Sequence, residues 1–244
     1  MQRRAPRGRA AAVGLDRDKV VAAALAQIDE KGFRAFSLRE LARNLGVAPA
    51  VIYWHVGGGK EDLFSAIAAS ITATLAEGVD PDAPWQERLR AIFLRYRALV
   101  HEHPNVAPLF GAEMKSNGVE GLPWIEAILS ALTEAGYRGE DLRDGINILI
   151  GGLAGFVTME LAPGPPDDAA TWETTFAART DAIDAATYPL TAAALPHLTN
   201  RIFVLRWQNG ADVSYDTSFT LLLDTLIAGL AARAPASPTR RTTR

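Results

Sequence analysis

The stretch from Ser37 to Val56 constrains the fold more than any other part of the 244-residue chain. Ser37 has a side-chain oxygen suited to an N-cap, and Leu38, Leu41, Ala42 and Leu45 follow at the i, i+3, i+4, i+7 spacing of one buried helical stripe. Gly46 and Val47 supply a stop and a turn. Pro49 then brings the fixed φ of a first helical turn, and Ile52 and Val56 lie four residues apart on one face of a second helix. Two short helices sharing so small a core form a helix-turn-helix, with the face opposite Ile52 and Val56 left for a partner. A helix of about two turns held in this way suits the major groove of B-form DNA.

The flanking residues complete a small module. Val20, Val21, Ala24, Leu25 and Ile28 predict a first helix closing at Gly32, after which Phe33 and Phe36 fill the space over the helix pair. A fourth helix is expected from Lys60 to about Glu77, with Leu63, Phe64, Ile67, Ile71 and Leu75 inward, before a break at 78–84 rich in Gly, Pro and Asp. Beyond it the period is helical throughout, at roughly 85–102, 105–116, 121–136, 140–161, 171–186, 188–199 and 214–233. The expected class is all-α: a three-helix module at 15–66 and a larger helical body at 67–233, flanked by disordered tails at 1–14 and 234–244. Residues 201–210 fit either a short strand or a loop insert.

The last helix carries Phe219, Leu222, Leu223, Leu226, Ile227 and Leu230, an apolar stripe that needs a partner. Gly151, Gly152, Ala154 and Gly155 let a second helix approach the 140–161 helix closely. These two helices are candidates for a four-helix dimer interface, two from each subunit, the alternative being packing within one subunit.

Net charge is −3, but its distribution is uneven. Residues 1–66 carry 11 Lys/Arg and 7 Asp/Glu, a surplus of +4, whereas the remainder carries −7. A basic module on an acidic body is what phosphate contact at one end requires. Arg3, Arg4, Arg7 and Arg9 can add nonspecific phosphate attraction or trail into a minor groove. With no cysteine there is no disulfide, thiolate nucleophile or thiolate zinc site to consider, and a cytoplasmic setting is expected. The longest run without a charged residue or histidine, Gly145 to Met159, is shorter than the ~18 residues of a membrane span and is expected to be a buried helix. No membrane partner, metal site or cofactor is expected; His101 and His103, two apart, make a poor ligand pair on a helix.

Residues 16–67 resemble the DNA-binding module of the TetR family of transcriptional repressors. The residues that carry the resemblance are Gly46-Val47 at the turn, Ile52-Tyr53-Trp54-His55-Val56 at the end of the second helix, and the following Lys60-Glu61-Asp62-Leu63. Tyr188-Pro189-Leu190 and Phe219 to Leu226 are similar to the tetracycline-repressor-like branch. There are two departures: the loop Gly57–Lys60 is one residue longer than usual, and Ala48 replaces a Ser or Thr cap. The resemblance implies a homodimer on a palindromic double-stranded operator, with the body as an effector-binding and dimerisation domain. It also implies release on binding a small molecule. The family's metal-chelating histidine would align near Leu109, so a magnesium–tetracycline effector is not expected.

On this resemblance the DNA-binding candidates are Ser37, Arg39, Ala48, Pro49, Ala50, Val51, Tyr53, Trp54, His55 and Lys60. Arg39 falls at a base-reading position, where a guanidinium fork can take guanine O6 and N7. Ala50 and Val51 suit thymine methyl groups, Tyr53 has a hydroxyl at phosphate distance, and Lys60 stands at a helix start that favours a phosphate. The candidate walls of an effector pocket are Phe93, Tyr96, Phe110, Met114, Trp124, Phe156 and Met159, whose chemistry predicts a mainly hydrophobic ligand. Two other functions compete with an effector-controlled repressor: a sequence-tolerant DNA binder without an effector, and a helical enzyme with a histidine base. No nucleophile elbow, phosphate loop or metal-binding His-Glu motif supports the enzyme.

Overall fold

The computed structural model describes residues 14–111, 122–164 and 169–235. Among them are eleven α-helices, two 3-10 turns and no strand. Arg3, Arg4, Arg7 and Arg9, nearly all of both expected tails, and the pocket candidate Met114 lie outside the described residues. Backbone packing divides the chain into two compact units, 1–131 and 132–244.

In the first unit, α1 (Arg17–Lys31) starts at Asp16, whose carboxylate accepts from the Lys19 amide at 2.8 Å, and closes at Gly32 with φ 82°. A 3-10 turn (Phe33–Ala35) leads to α2 (Leu38–Asn44), α3 (Pro49–Val56) and α4 (Lys60–Thr72). Val20, Ala24 and Ile28 of α1, Leu41 of α2, Ile52 of α3 and Leu63, Phe64 and Ile67 of α4 form one buried core. Phe33 and Phe36 pack on the Phe64 ring at 4.9 and 5.3 Å, filling the space over the helix pair. The fourth helix is shorter than its period suggests. Its chain tightens after Thr72 into i→i−3 bonds, Leu75 to Thr72 and Glu77 to Thr74, while Leu75 stays buried.

After the break come α5 (Trp85–Glu102), a 3-10 turn (Pro104–Val106) and α6 (Ala107–Gly111). The expected single helix at 105–116 thus begins as a tighter turn, set by Pro104. Val106 and Leu109 are fully buried in the same core as α1–α4. Asp29 of α1 fixes this turn: its carboxylate lies 2.8 Å from His103 Nδ1, and its carbonyl accepts from Asn105 Nδ2 at 2.9 Å. The boundary expected at 66/67 therefore falls inside α4, and the compact unit extends to Ala131, within α7 (Leu122–Glu134).

The second unit contains the end of α7, then α8 (Gly139–Glu160), α9 (Ala169–Asp181), α10 (Pro189–Leu198) and α11 (Asp216–Arg233). α8 and α11 pack together, burying Leu149, Leu153 and Val157 on one side and Phe219, Leu223, Ile227 and Leu230 on the other. Gly152 allows the approach: a Cβ there would sit 2.9 Å from Leu226 Cδ1. The buried Tyr137 hydroxyl donates to the Leu230 carbonyl at 2.8 Å.

The 145–159 run is buried on one face only. Ile148 and Met159 are 47% and 49% exposed, and Gly151 and Gly155 have open space beside them. By length and composition alone α8 is long and apolar enough to cross a membrane. Its first turns, however, carry Glu140, Asp141, Arg143 and Asp144. Residues 201–210 form a loop rather than a strand.

Candidate nucleic-acid interface

The helix-turn-helix is built by local chemistry. The Ser37 hydroxyl accepts from the Glu40 amide at 3.4 Å, starting α2. α2 stops in a Schellman arrangement: the Val47 amide reaches the Ala42 carbonyl at 3.0 Å and the Gly46 amide reaches Arg43 at 3.2 Å, with Gly46 at φ 69°. α3 begins with Pro49 at its first position and no side-chain cap, because Ala48 has no oxygen to offer. It ends at Gly57, φ 113°, whose amide bonds the Tyr53 carbonyl at 3.1 Å.

Burial of Ile52 and Val56 fixes which way α3 faces. Ala48, Pro49 and Ala50 are exposed at its start, and Trp54 is 80% exposed near its end, packing edge-on against the His55 ring at 4.8 Å. Val51, Tyr53 and His55 are half-buried. Trp54 is thus the largest apolar side chain on the open face of α3, opposite the buried Ile52 and Val56.

Two charges on the neighbouring helices α2 and α4 are in different states. Arg39 is exposed and makes no ion pair with a described residue. The Lys60 ammonium lies over the Phe64 and Phe36 rings, 5.1 and 5.8 Å from their centroids, so ring faces already hold it at the start of α4.

Behind the face, Glu40 ties α2 to α1. Its Oε1 lies 2.5 Å from Lys31 Nζ and 3.3 Å from Arg43 Nη2, and its Oε2 accepts from Gln27 Nε2 at 3.1 Å. The Lys31 ammonium holds the Glu40 carboxyl below the usual carboxylate range. The arrangement offers a mostly apolar helix start, a free guanidinium and one aromatic platform, all compatible with a duplex groove.

The pocket candidates are not gathered in one described cavity. Phe93 is in the core of the first unit, as is Tyr96, which packs edge-on against Phe110 at 5.8 Å. The Tyr96 hydroxyl is buried without a hydrogen-bond partner among the described residues, and burial pushes its phenol up. Trp124 is half-buried on α7. In the second unit Phe156 packs on Phe203 and Phe219 at 4.8 and 5.5 Å, while Met159 is half exposed.

The second unit does contain a cavity of about 560 Å³, walled by Trp172 and Phe176 of α9 and by Phe203 and Trp207 of the 199–215 loop. Sequence periodicity missed it because the loop has no period; the available signal was a high aromatic content in a segment without helical pattern. Among the described residues no group of three or more His, Asp or Glu side chains is placed to hold a metal ion.

Two family models match the chain: bacterial regulatory proteins of the tetR family over residues 20–67, and the tetracyclin repressor-like C-terminal domain over 77–234. An Escherichia coli tetracycline repressor protein class D is 31% identical over 135 residues, 54% of this chain and 59% of the repressor. An HTH-type transcriptional regulator of Saccharopolyspora erythraea is 28% identical over 128 residues, 52% of this chain and 53% of that protein. These matches thus span only a little over half the length of the curated relatives. Among solved structures, one described as a possible TetR family transcriptional regulator from Streptomyces coelicolor A3(2) superposes with TM-score 0.68 at 27% identity, covering 89% of this chain and 100% of its own. The Streptomyces coelicolor TetR family protein ActR, solved with actinorhodin, has TM-score 0.68 at 21% identity, covering 92% and 99%, and shows likeness of fold.

Proposed function

Because the chain belongs to the TetR family of bacterial regulatory proteins, we propose that it is a transcriptional repressor. It binds a palindromic operator as a homodimer, and a small hydrophobic effector modulates that binding. The observation that carries this reading is the exposed face of α3, with Trp54 80% exposed while Ile52 and Val56 are buried. In this role α3 enters the major groove. Arg39 reads a guanine edge, Ala50 and Val51 meet thymine methyls, and Tyr53, His55 and Lys60 contact the backbone beside Trp54, with Ser37, Ala48 and Pro49 setting the approach. Such a protein works in the cytoplasm, where its operator is.

Dimerisation is supported by exposed apolar and small positions in the second unit: Ile148, Gly151, Gly155 and Met159 along α8 and, on α11, Leu221, which is 67% exposed. Each of these faces is apolar or small, so a second copy can complete a four-helix contact. Effector control is supported by the 560 Å³ cavity and by ActR, a neighbour of the same fold solved with actinorhodin. Ligand and DNA then weaken each other reciprocally.

Ala48, Pro49, Ala50 and Val51 offer no side-chain hydrogen bonds, an observation that favours a second reading, a sequence-tolerant DNA binder. Selection from randomised duplexes at near-physiological salt separates the two. An inverted repeat supports the dimeric repressor; binding without enrichment, with a steep salt dependence, supports the alternative.

A further inference from the structure

We infer that the cavity of the second unit is a binding site for a planar aromatic cation. The assignment rests on the effector-controlled reading of the chain and names the ligand class for it. Four rings wall the cavity from two directions: Trp172 and Phe176, 4.8 Å apart on α9, and Phe203 and Trp207 from the loop, with Trp207 6.3 Å from Phe176. Phe203 is backed by Phe156 at 4.8 Å and stacked on Tyr215 at 5.3 Å, so it cannot collapse into the space. A volume of about 560 Å³ lies within the roughly 300–1,000 Å³ of small-molecule sites.

The loop is held in place by hydrogen bonds within itself and to the end of α8. Asn200 Oδ1 accepts from the Trp207 and Gln208 amides at 2.9 and 3.2 Å, and the Asn200 amide donates to the Leu205 carbonyl at 3.1 Å. The Gly210 amide donates to the Glu160 carbonyl at 2.8 Å. A preformed aromatic slot loses little ordering entropy on binding a flat molecule.

The charge of the ligand follows from what the walls have left to offer. Arg206 lines the cavity, but its guanidinium donates to the Glu160 carbonyl at 3.1 Å and to the Met159 carbonyl, at the C-terminal end of α8. It also lies 5.5 Å from the Phe203 centroid. That cation is committed to helix-end carbonyls and to a ring face. The two carboxylates of the wall, Glu173 and Asp212, are exposed and make no ion pair with a described residue. Ring faces carry negative potential, and carboxylates reinforce it. A flat cation therefore gains from both and meets a wall in which two carboxylates outnumber the one guanidinium, whereas an anion meets net negative charge.

The test uses three probes with one ring skeleton at pH 8: 9-aminoacridine, a cation; acridine, neutral; and acridine-9-carboxylate, an anion. Calorimetric titration of the full-length protein is expected to give saturable binding of the cation, about tenfold tighter than the neutral probe, with the anion weakest. Glu173→Gln combined with Asp212→Asn changes only exposed groups; it should narrow the cation's advantage over the neutral probe and leave the neutral affinity unchanged. Trp207→Leu should weaken both. Equal or tighter binding of the anion overturns the assignment, as does an unaltered cation preference in the double variant or saturable binding of none of the three.

Operator release is measured separately, comparing wild type with the double variant so that intercalation of the probe into DNA cancels. Binding with release supports both the site and the effector reading. Binding without release supports the site and overturns effector control.

Discussion

Arg39 of α2 and Lys60 of α4 carry the same formal charge with different freedom. Arg39 is exposed without an ion pair to a described residue, whereas the Lys60 ammonium rests 5.1 Å from the Phe64 ring centroid. Arg39→Ala should therefore cut operator discrimination, measured by anisotropy on operator against scrambled duplex, by about tenfold or more, the value of one bidentate base contact. Lys60→Ala should weaken both duplexes alike and reduce the slope of log K against log salt by about one. Glu40 matters behind the face. Its carboxyl is lowered chiefly by the Lys31 hydrogen bond, with Gln27 and Arg43 assisting. A carboxyl lower in the folded than in the unfolded chain contributes stability above the ordinary carboxylate range and loses it as pH falls through the lowered value. Glu40→Gln should thus be less stable than wild type in urea at neutral pH, with the difference closing as the solution is acidified below the carboxylate range.

At the scale of elements, α3 starts without a side-chain cap, since Ala48 provides no acceptor although its backbone is already extended at φ −77°, ψ 149°. Ala48→Ser should raise stability to thermal unfolding by about 1 kcal/mol through a new N-cap bond. The opposite case is Gly210, where a Cβ would fall 2.2 Å from Cγ of the fully buried Glu160. Gly210→Ala should cost about 1–3 kcal/mol as an overpacked contact. The same change should loosen the aromatic loop, so that denaturant unfolding and acridine binding weaken together. The helices of the module were legible from local signals: Ser37 starts α2, Gly46 ends it, Pro49 and Gly57 bound α3. The loop 199–215 was not legible, because Arg206 and Gly210 are fixed by Glu160, almost fifty residues earlier, and no short window contains both partners.

For the whole molecule, the proposed repressor function requires two copies reading one operator, since each α3 alone would span only part of a half-site. Ile148, Gly151, Gly155 and Met159 of α8 and Leu221 of α11 are the exposed positions proposed to carry that assembly. Ile148→Asp with Leu221→Asp, both at exposed positions, should give a monomer by sedimentation velocity while helicity is retained. Operator affinity should fall by about a hundredfold or more as the second half-site is lost from the same complex. A variant that remains dimeric with full affinity would place the interface elsewhere.

By itself the sequence determined the all-α class, the helix-turn-helix and the burial of Ile52 and Val56 that aims its open face, because caps, turns and i, i+4 stripes act between neighbours in the chain. Tertiary structure decided what depends on distant partners. Val106 and Leu109 join the core of α1–α4, with Asp29 holding His103 and Asn105, so the first compact unit runs past the break at 78–84. Phe93 and Tyr96 become core residues, while Trp172, Phe176, Phe203 and Trp207 surround open space. Helical spacing gives these aromatic residues the same signature, and only the side chains packed opposite each of them settle whether it fills a core or walls a cavity.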